Sequence, residues 1–103
     1  MKFYYVYIVR CRDNSLYTGI TNDIDRRIIE HNTGNLKSAY TYKRRPVILV
    51  FSQEFLDPQQ AINFEKKLKK WSKQKKEALI NGNFEMIQIL AECRNATHFK
   101  YKS

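Results

Sequence analysis

A continuous run of β-branched and aromatic residues near the start constrains the fold of this chain more than any other segment. Residues 3–11 are apolar at both alternating positions, with Arg10 as the exception. Such a run predicts a central strand that is covered on both faces. The sequence RDNS at 12–15 is a turn signal, because Asp and Asn tolerate left-handed backbone. Residues 16–21 then form a returning strand, so the chain is expected to begin with an antiparallel hairpin.

The length of the hairpin turn decides which side chains share a face of the sheet. A two-residue turn would place Tyr7 and Tyr17 on opposite faces. A three-residue turn over 13–15 would instead pair Tyr7 with Thr21. Both tyrosines would then share one face, with Gly19 leaving open space between them. The sequence permits either turn.

The helix expected after the hairpin carries two charged residues on its inward side. Positions 24, 27, 28 and 31 form one i, i+3, i+4, i+7 stripe. Arg27 and His31 should therefore lie along the side that meets the sheet, whereas Arg26 and Glu30 form an ordinary outward pair. Taken singly, Arg27 and His31 fit edge residues with satisfied hydrogen bonds as well as they fit a catalytic role.

Cap and turn signals divide the rest of the chain. Thr21 or Asn22 is expected to cap the first helix and Gly34 to end it. Residues 47–54 are expected to form a third strand, and Asp57-Pro58 is a strong helix start. The further boundaries predicted are the end of that helix near Trp71, a short helix from Ser72 and a last helix from Asn83. The predicted fold is α+β: a small three-stranded antiparallel sheet flanked by helices, in the order ββαβα with short C-terminal helices.

Length and composition limit the number of domains and the class of protein. A chain of 103 residues can build one core but not two. We expect one domain over 1–94 and a partly disordered tail over 95–103. No stretch approaches the roughly 18 apolar residues of a membrane span, and the N-terminus lacks a small-residue cleavage site. Cys11 and Cys93 have neither metal-type nor disulfide-type spacing, so both are expected to be reduced in a cytoplasmic protein. A monomer is also predicted.

The positive charge is concentrated in two segments. The formal net charge is +9, and residues 39–46 interleave tyrosines with basic residues, while residues 66–76 hold seven lysines around Trp71. A solvated surface would explain some of this charge, but clustering favours a polyanionic partner, with aromatic stacking beside phosphate contacts. The nucleic-acid contacts predicted from these segments are Tyr40, Tyr42, Lys43, Arg44, Arg45, Lys66, Lys69, Lys70 and Lys73.

An acidic residue lies beside the apolar stripe of the long helix. Ala61, Phe64, Leu68 and Trp71 form that stripe, and Glu65 follows Phe64. A carboxylate that loses hydration needs a cation or hydrogen bonds. A salt bridge to one of the neighbouring lysines would meet this need, and so would a divalent ion completed by water and substrate phosphate.

Taken together, these residues resemble the GIY-YIG endonuclease domain, and most closely its small stand-alone bacterial branch. The resemblance covers roughly residues 3–80. The first tripeptide of the family falls on Tyr5-Val6-Tyr7 and the second on Tyr17-Thr18-Gly19, so Tyr5 replaces a Gly and Thr18 an Ile. The family's remaining active-site positions fall on Arg27, His31 and Glu65.

The resemblance implies divalent-metal-dependent hydrolysis of phosphodiester bonds in DNA or RNA, with DNA favoured as the substrate. By that likeness Glu65 would hold one Mg²⁺ or Mn²⁺ ion. Tyr7, helped by Tyr17, would act as general base or position the attacking water. Arg27 would bind the phosphate, and His31 would relay a proton or orient a tyrosine.

Two classes of function stay open on this evidence. Larger relatives add separate DNA-recognition domains, for which residues 1–103 leave no room. One possibility is a small nuclease whose specificity comes from a protein partner. The other is a nucleic-acid-binding module on a nuclease-like scaffold, with negligible catalysis.

Overall fold

The computed structural model describes residues 2–34 and 40–83, which form one sheet and three α-helices. The elements are β1 (Tyr4–Cys11), β2 (Leu16–Thr21), α1 (Ile24–Thr33), a short 3-10 helix (Tyr42–Arg44), β3 (Val47–Phe55), α2 (Pro58–Lys69) and α3 (Lys73–Ile80). The α+β class and the order ββαβα are confirmed. The predicted last helix after Asn83 and the tail over 95–103 lie outside the described residues.

The chain divides into two compact units, the first ending at Lys70 and the second beginning at Trp71. The described part of the second unit contains α3, which Ser72 caps through its hydroxyl, as predicted. The domain boundary expected at residue 94 stays a prediction. None of the helices in the described ranges is long and apolar enough to cross a membrane.

The central strand of the sheet is β1, as the apolar run predicts. The strand order is β2-β1-β3, and both pairings are antiparallel. Residues 6–9 are at most 1% exposed, so both faces of β1 are covered. On one face Tyr7, Val9 and Cys11 form a buried cluster with Val47 of β3.

The β1–β2 turn has three residues, the second of the two lengths that the sequence permits, but its position differs from the one considered. It occupies 12–14, with Asn14 in the left-handed region at φ 70°, and the backbone N–H of Cys11 donates to Ser15 O at 2.8 Å. Tyr7 therefore pairs with Gly19, and the predicted pairing with Thr21 is wrong by two residues. A shift of two residues preserves the faces, so Tyr7 and Tyr17 share one face, as the three-residue alternative allows.

The ends of α1 follow from side-chain caps. Asp23, rather than Thr21 or Asn22, is the N-cap, and its carboxylate accepts from the Arg26 N–H at 3.1 Å. The predicted caps are wrong because the Thr21 hydroxyl bonds to the backbone of Asp23 instead. Gly34 ends the helix at φ 84°, as predicted.

Helix α2 begins as predicted and ends slightly early. Asp57 caps it, and Pro58 occupies its first turn. Its last residue is Lys69, because the chain leaves helical hydrogen bonding at Lys70 before the predicted end at Trp71.

Helix α1 is fastened to β3 by one side chain. Asn32 donates from Nδ2 to Val47 O at 3.1 Å, and its Oδ1 accepts from the Val47 N–H at 2.7 Å. The last turn of α1, which carries His31, is thereby fixed against the strand that borders the core cluster.

Candidate active site

Tyr7 and Gly19 face each other across β1 and β2. The Tyr7 ring is 1% exposed, and a Cβ added at Gly19 would collide with the Tyr7 hydroxyl oxygen and with the ring behind it. The positive-φ glycines of the described ranges are Gly34 and Gly82, so position 19 needs glycine for space and not for backbone conformation. The open space expected at Gly19 is therefore filled by the Tyr7 side chain.

His31 joins Tyr7 to a residue that the sequence did not indicate. The Tyr7 hydroxyl lies 2.9 Å from His31 Nε2, and His31 Nδ1 lies 2.7 Å from Thr41 Oγ1. His31 is 2% exposed and Thr41 is fully buried. Thr41 stands in a segment that drew attention only for its tyrosines and basic residues, and a single threonine has no pattern that would mark it.

Tyr7 and His31 are both neutral at neutral pH. Burial, followed by the neighbouring Tyr17, raises the pKa of Tyr7 to about 12, although Arg27 acts in the opposite direction. Roughly one Tyr7 in 100,000 is then a phenolate at pH 7. Burial and the charge of Arg27 lower the pKa of His31, against the effect of Glu30. At Tyr7 the rise in pKa caused by desolvation is thus larger than the fall caused by the Arg27 guanidinium.

Tyr17 completes an aromatic cluster with Tyr7 and His31. Its ring centroid lies 6.5 Å from that of Tyr7 and 5.5 Å from that of His31, with the His31 contact edge-on. On another side Tyr17 stacks with Tyr40, at 6.2 Å and an interplanar angle of 15°. Both signature tyrosines and the histidine of α1 therefore meet at one place.

Arg27 borders this cluster and is oriented by Glu30. Arg27 Nε lies 3.0 Å from Glu30 Oε1, whereas the expected Arg26–Glu30 pair is longer, at 3.9 Å. The prediction that Glu30 pairs outward with Arg26 is therefore only partly right, because Arg27 of the inward stripe is its closer partner. The Arg27 side chain is 31% exposed, which leaves the guanidinium accessible to a phosphate.

Glu65 on α2 forms a salt bridge, the first of the two arrangements that its position suggested. Lys69 Nζ lies 2.9 Å from Glu65 Oε2, and the carboxylate side chain is only 13% exposed. The hydrogen bond with Glu65 raises the pKa of Lys69. Helix α2, which carries this pair, packs against β1 and β2, the strands that carry Tyr7 and Tyr17.

The residues present fit one kind of metal site. Within 2–34 and 40–83 no three His, Cys, Asp or Glu side chains come together as metal ligands, which does not match a structural zinc site. A single carboxylate oxygen does match Mg²⁺, which is commonly held by one or two carboxylates together with water and substrate phosphate.

Both predicted nucleic-acid-binding arginines make contacts within the chain. The Arg44 guanidinium lies 3.9 Å from the Tyr40 ring centroid, and its Nε is 3.1 Å from Asp13 Oδ2. Arg45 lies over Tyr42 at 4.6 Å and donates to Tyr42 O at 2.8 Å. These arginines brace the segment that carries Thr41, so their charges are only partly available to a ligand.

The predicted lysines are more accessible to a ligand than these two arginines, whereas Tyr5 of the first motif contacts a neighbouring aromatic ring. Lys43, Lys66 and Lys70 are exposed in the first unit, and Lys73 is exposed in the second. Tyr5 is half-buried and contacts Phe3, with ring centroids 6.5 Å apart.

Similarity to known proteins extends over most of the chain. The sequence profile of the GIY-YIG catalytic domain matches residues 3–78. The UPF0213 protein SSP2268 of Staphylococcus saprophyticus is 47% identical over 81 residues, which are 79% of this chain and 98% of that protein.

Two solution NMR structures have a similar fold. The UPF0213 protein BH0048 from Bacillus halodurans matches with a TM-score of 0.51 and 42% identity, over 77% of this chain and 83% of that one. The protein EF2693 from E. faecalis matches with a TM-score of 0.55 and 36% identity, over 82% and 90%. Because the profile match spans both tyrosine motifs, α1 and α2, the chain belongs to the GIY-YIG domain family.

Proposed function

We propose that this protein is a divalent-metal-dependent nuclease that hydrolyses phosphodiester bonds in nucleic acid, DNA rather than RNA. The observation that supports this best is the buried hydrogen bond between Tyr7 and His31, beside Tyr17 and Arg27, in a GIY-YIG domain. A buried histidine next to a phenol offers a route for the proton that an attacking water must lose.

Tyr7 acts as a proton relay rather than as a stored phenolate. With a pKa of about 12 it is protonated at neutral pH, so it can take a proton from water only by giving up its own. His31 Nε2, at 2.9 Å, is the acceptor within reach. Because its pKa is lowered, His31 starts neutral and has a lone pair for that proton.

The other residues of the cluster bind and orient the phosphate. Arg27, fixed by Glu30 and partly exposed, donates to the phosphate oxygens and stabilises the charge that develops on them. Tyr17 lies against both Tyr7 and His31 and keeps water out of their contact. Glu65 would hold one Mg²⁺ or Mn²⁺ ion, which stabilises charge on the phosphate and the leaving oxygen when it is bound.

The charge of the chain suits a nucleic-acid substrate. The net charge is +9, and the exposed Lys43, Lys66 and Lys70 can contact phosphates without regard to sequence. Such contacts give affinity but little discrimination, so a protein partner supplies specificity in this proposal, and the nuclease works as a cytoplasmic monomer.

A second candidate function is nucleic-acid binding without cleavage. The observation that favours it is the Glu65–Lys69 salt bridge, because the ammonium occupies the carboxylate that would otherwise hold the ion. In a pure binding module this pair would be permanent, and the basic surface would carry the whole function.

Cleavage assays separate the two candidates. Purified protein is incubated with labelled duplex, branched and single-stranded DNA and RNA, in Mg²⁺, Mn²⁺ or EDTA. We expect cleavage that EDTA abolishes and that Tyr7→Phe lowers by roughly 100-fold, while nucleic-acid binding is retained. The lost hydrogen bond should cost about 0.5–1.5 kcal/mol of unfolding free energy.

The matched control is Tyr4→Phe, on the same strand but on the opposite face, where Tyr4 lines a small apolar cavity with Ile20 and Pro58. This variant should cleave like the wild type. Wild-type cleavage by Tyr7→Phe would refute the role of the Tyr7 hydroxyl. Absence of cleavage on every substrate and metal would favour the binding module.

A further inference from the structure

We propose that Thr41 is a positioning residue of this site, whose hydroxyl holds His31 in the tautomer that leaves Nε2 available to accept the Tyr7 proton. This inference rests on the proposed nuclease function and adds a residue to it. It concerns a side chain outside both tyrosine motifs and outside α1, placed ten residues after His31 in the chain.

Both ring nitrogens of His31 face a hydroxyl. Nε2 lies 2.9 Å from the Tyr7 hydroxyl and Nδ1 lies 2.7 Å from Thr41 Oγ1. A neutral imidazole has one N–H and one lone pair. One hydroxyl must therefore donate to the ring and the other must accept from it, which leaves two possible arrangements of the protons.

The chemistry of the two hydroxyls selects between these arrangements. The phenol of Tyr7 is a stronger acid than the alkyl hydroxyl of Thr41, and so it is the better donor, whereas the Thr41 oxygen is the better acceptor. Tyr7 O–H therefore donates to Nε2, and Nδ1–H donates to Thr41 Oγ1. In this tautomer the lone pair of His31 points at the proton that Tyr7 must release.

Thr41 is held firmly enough to impose this choice. It is fully buried, and its carbonyl accepts from the Arg44 N–H at 2.9 Å. The Arg44 side chain is itself fixed, over the Tyr40 ring and against Asp13. The basic segment thus contributes to the site by bracing Thr41 as well as by its charge.

The proton transfers balance in this arrangement. Attack on phosphorus forms a bond to the water oxygen and breaks the bond to the leaving oxygen. The water proton passes to the Tyr7 oxygen, and the Tyr7 proton passes to His31 Nε2. The imidazolium keeps its Nδ1–H on Thr41. The leaving oxygen takes a proton from solvent, and His31 then returns one to solvent.

Two substitutions at Thr41 test the proposal with a built-in control. Thr41→Val keeps the shape but removes the hydroxyl, whereas Thr41→Ser keeps the hydroxyl and removes the methyl group. In the valine variant a buried Nδ1–H would have no acceptor, so the proton should move to Nε2, which then donates to Tyr7. His31 could no longer accept the Tyr7 proton, and cleavage should fall by roughly 100-fold.

Nitrogen-15 NMR of the imidazole ring reports the tautomer independently of activity. His31 and His98 are the two histidines of the chain, so a spectrum of His98→Gln assigns the signals of His31. We expect Nδ1–H in the wild type and in Thr41→Ser, Nε2–H in Thr41→Val, and cleavage close to wild type in Thr41→Ser.

The outcomes that would overturn the proposal are separate from those that would overturn the nuclease function. An Nε2–H tautomer in the wild type, which needs no variant to detect, refutes the inference about Thr41. Wild-type cleavage by a folded Thr41→Val protein refutes it as well. If the wild type has the Nδ1–H tautomer but cleaves no substrate, the positioning contact stands and the nuclease function fails.

Discussion

Gly19→Ala is expected to destabilise the protein although it adds a single methyl group. The new Cβ would collide with the Tyr7 hydroxyl oxygen and the adjoining ring carbon. Tyr7 is 1% exposed and cannot simply turn into solvent. Overpacking of this kind costs about 1–3 kcal/mol, and loss of the Tyr7–His31 hydrogen bond about 0.5–1.5 kcal/mol more. Reduced freedom of the unfolded chain offsets about 0.4–1 kcal/mol.

Central values give a net loss of about 2 kcal/mol, or roughly a 30-fold change in the folding equilibrium. Urea unfolding should show a lower midpoint with an unchanged slope. In a Tyr7→Leu background, which removes the colliding atoms, the same Gly19→Ala change should cost much less. An equal cost in both backgrounds would show that the glycine is needed for some reason other than the space taken by Tyr7.

Two further predictions concern His31 and Glu65. The pKa of His31 is lowered by burial and by Arg27, so the unfolded state binds more protons below its ordinary value of about 6.5. The unfolding free energy should therefore fall as the pH drops from about 6.5 towards the folded-state pKa, by at most about 1.4 kcal/mol per pH unit. Urea titrations at several pH values should show a smaller fall for His31→Gln, and equal profiles would contradict this account. For the metal, electron paramagnetic resonance should show that Glu65→Gln abolishes Mn²⁺ binding. Lys69→Gln should strengthen it roughly fivefold by removing a competing pair worth about 1 kcal/mol; unchanged affinity in Glu65→Gln would place the ion elsewhere.

The sequence permits a shared face for the two tyrosines but does not fix it, and it does not predict their register. Tyr7 and Tyr17 share a face for every turn of odd length, so a three-residue turn was sufficient for that conclusion. Its position depended on whether Asn14 or Ser15 takes the left-handed conformation, and either residue tolerates the turn. The structure selects Asn14, with Asp13 Oδ1 accepting from the Ser15 N–H at 3.0 Å.

The helical stripe correctly predicts that Arg27 and His31 lie on the side of α1 that meets the sheet. This prediction needs only the period of 3.6 residues, which is a local property of the sequence. Thr41 could not be predicted, because its contact with His31 depends on the path of a loop and threonine is a common residue in loops. The contacts of Arg44 with Tyr40 and of Arg45 with Tyr42 were also missed. Alternating aromatic and basic residues are equally compatible with stacking on a bound nucleic acid and with stacking on each other within the chain.

The amide of Asn32 also affects how the sheet meets other chains. β3 is an edge strand of the three-stranded sheet, and its Ile48 is 66% exposed. An open edge with an exposed apolar side chain favours pairing with a strand from another molecule. At Val47 both backbone groups are already bonded to Asn32. A strand from a second molecule would have to displace the last turn of α1 before it could extend the sheet there. The contact that fixes His31 beside the core therefore also protects this end of the edge strand against aggregation.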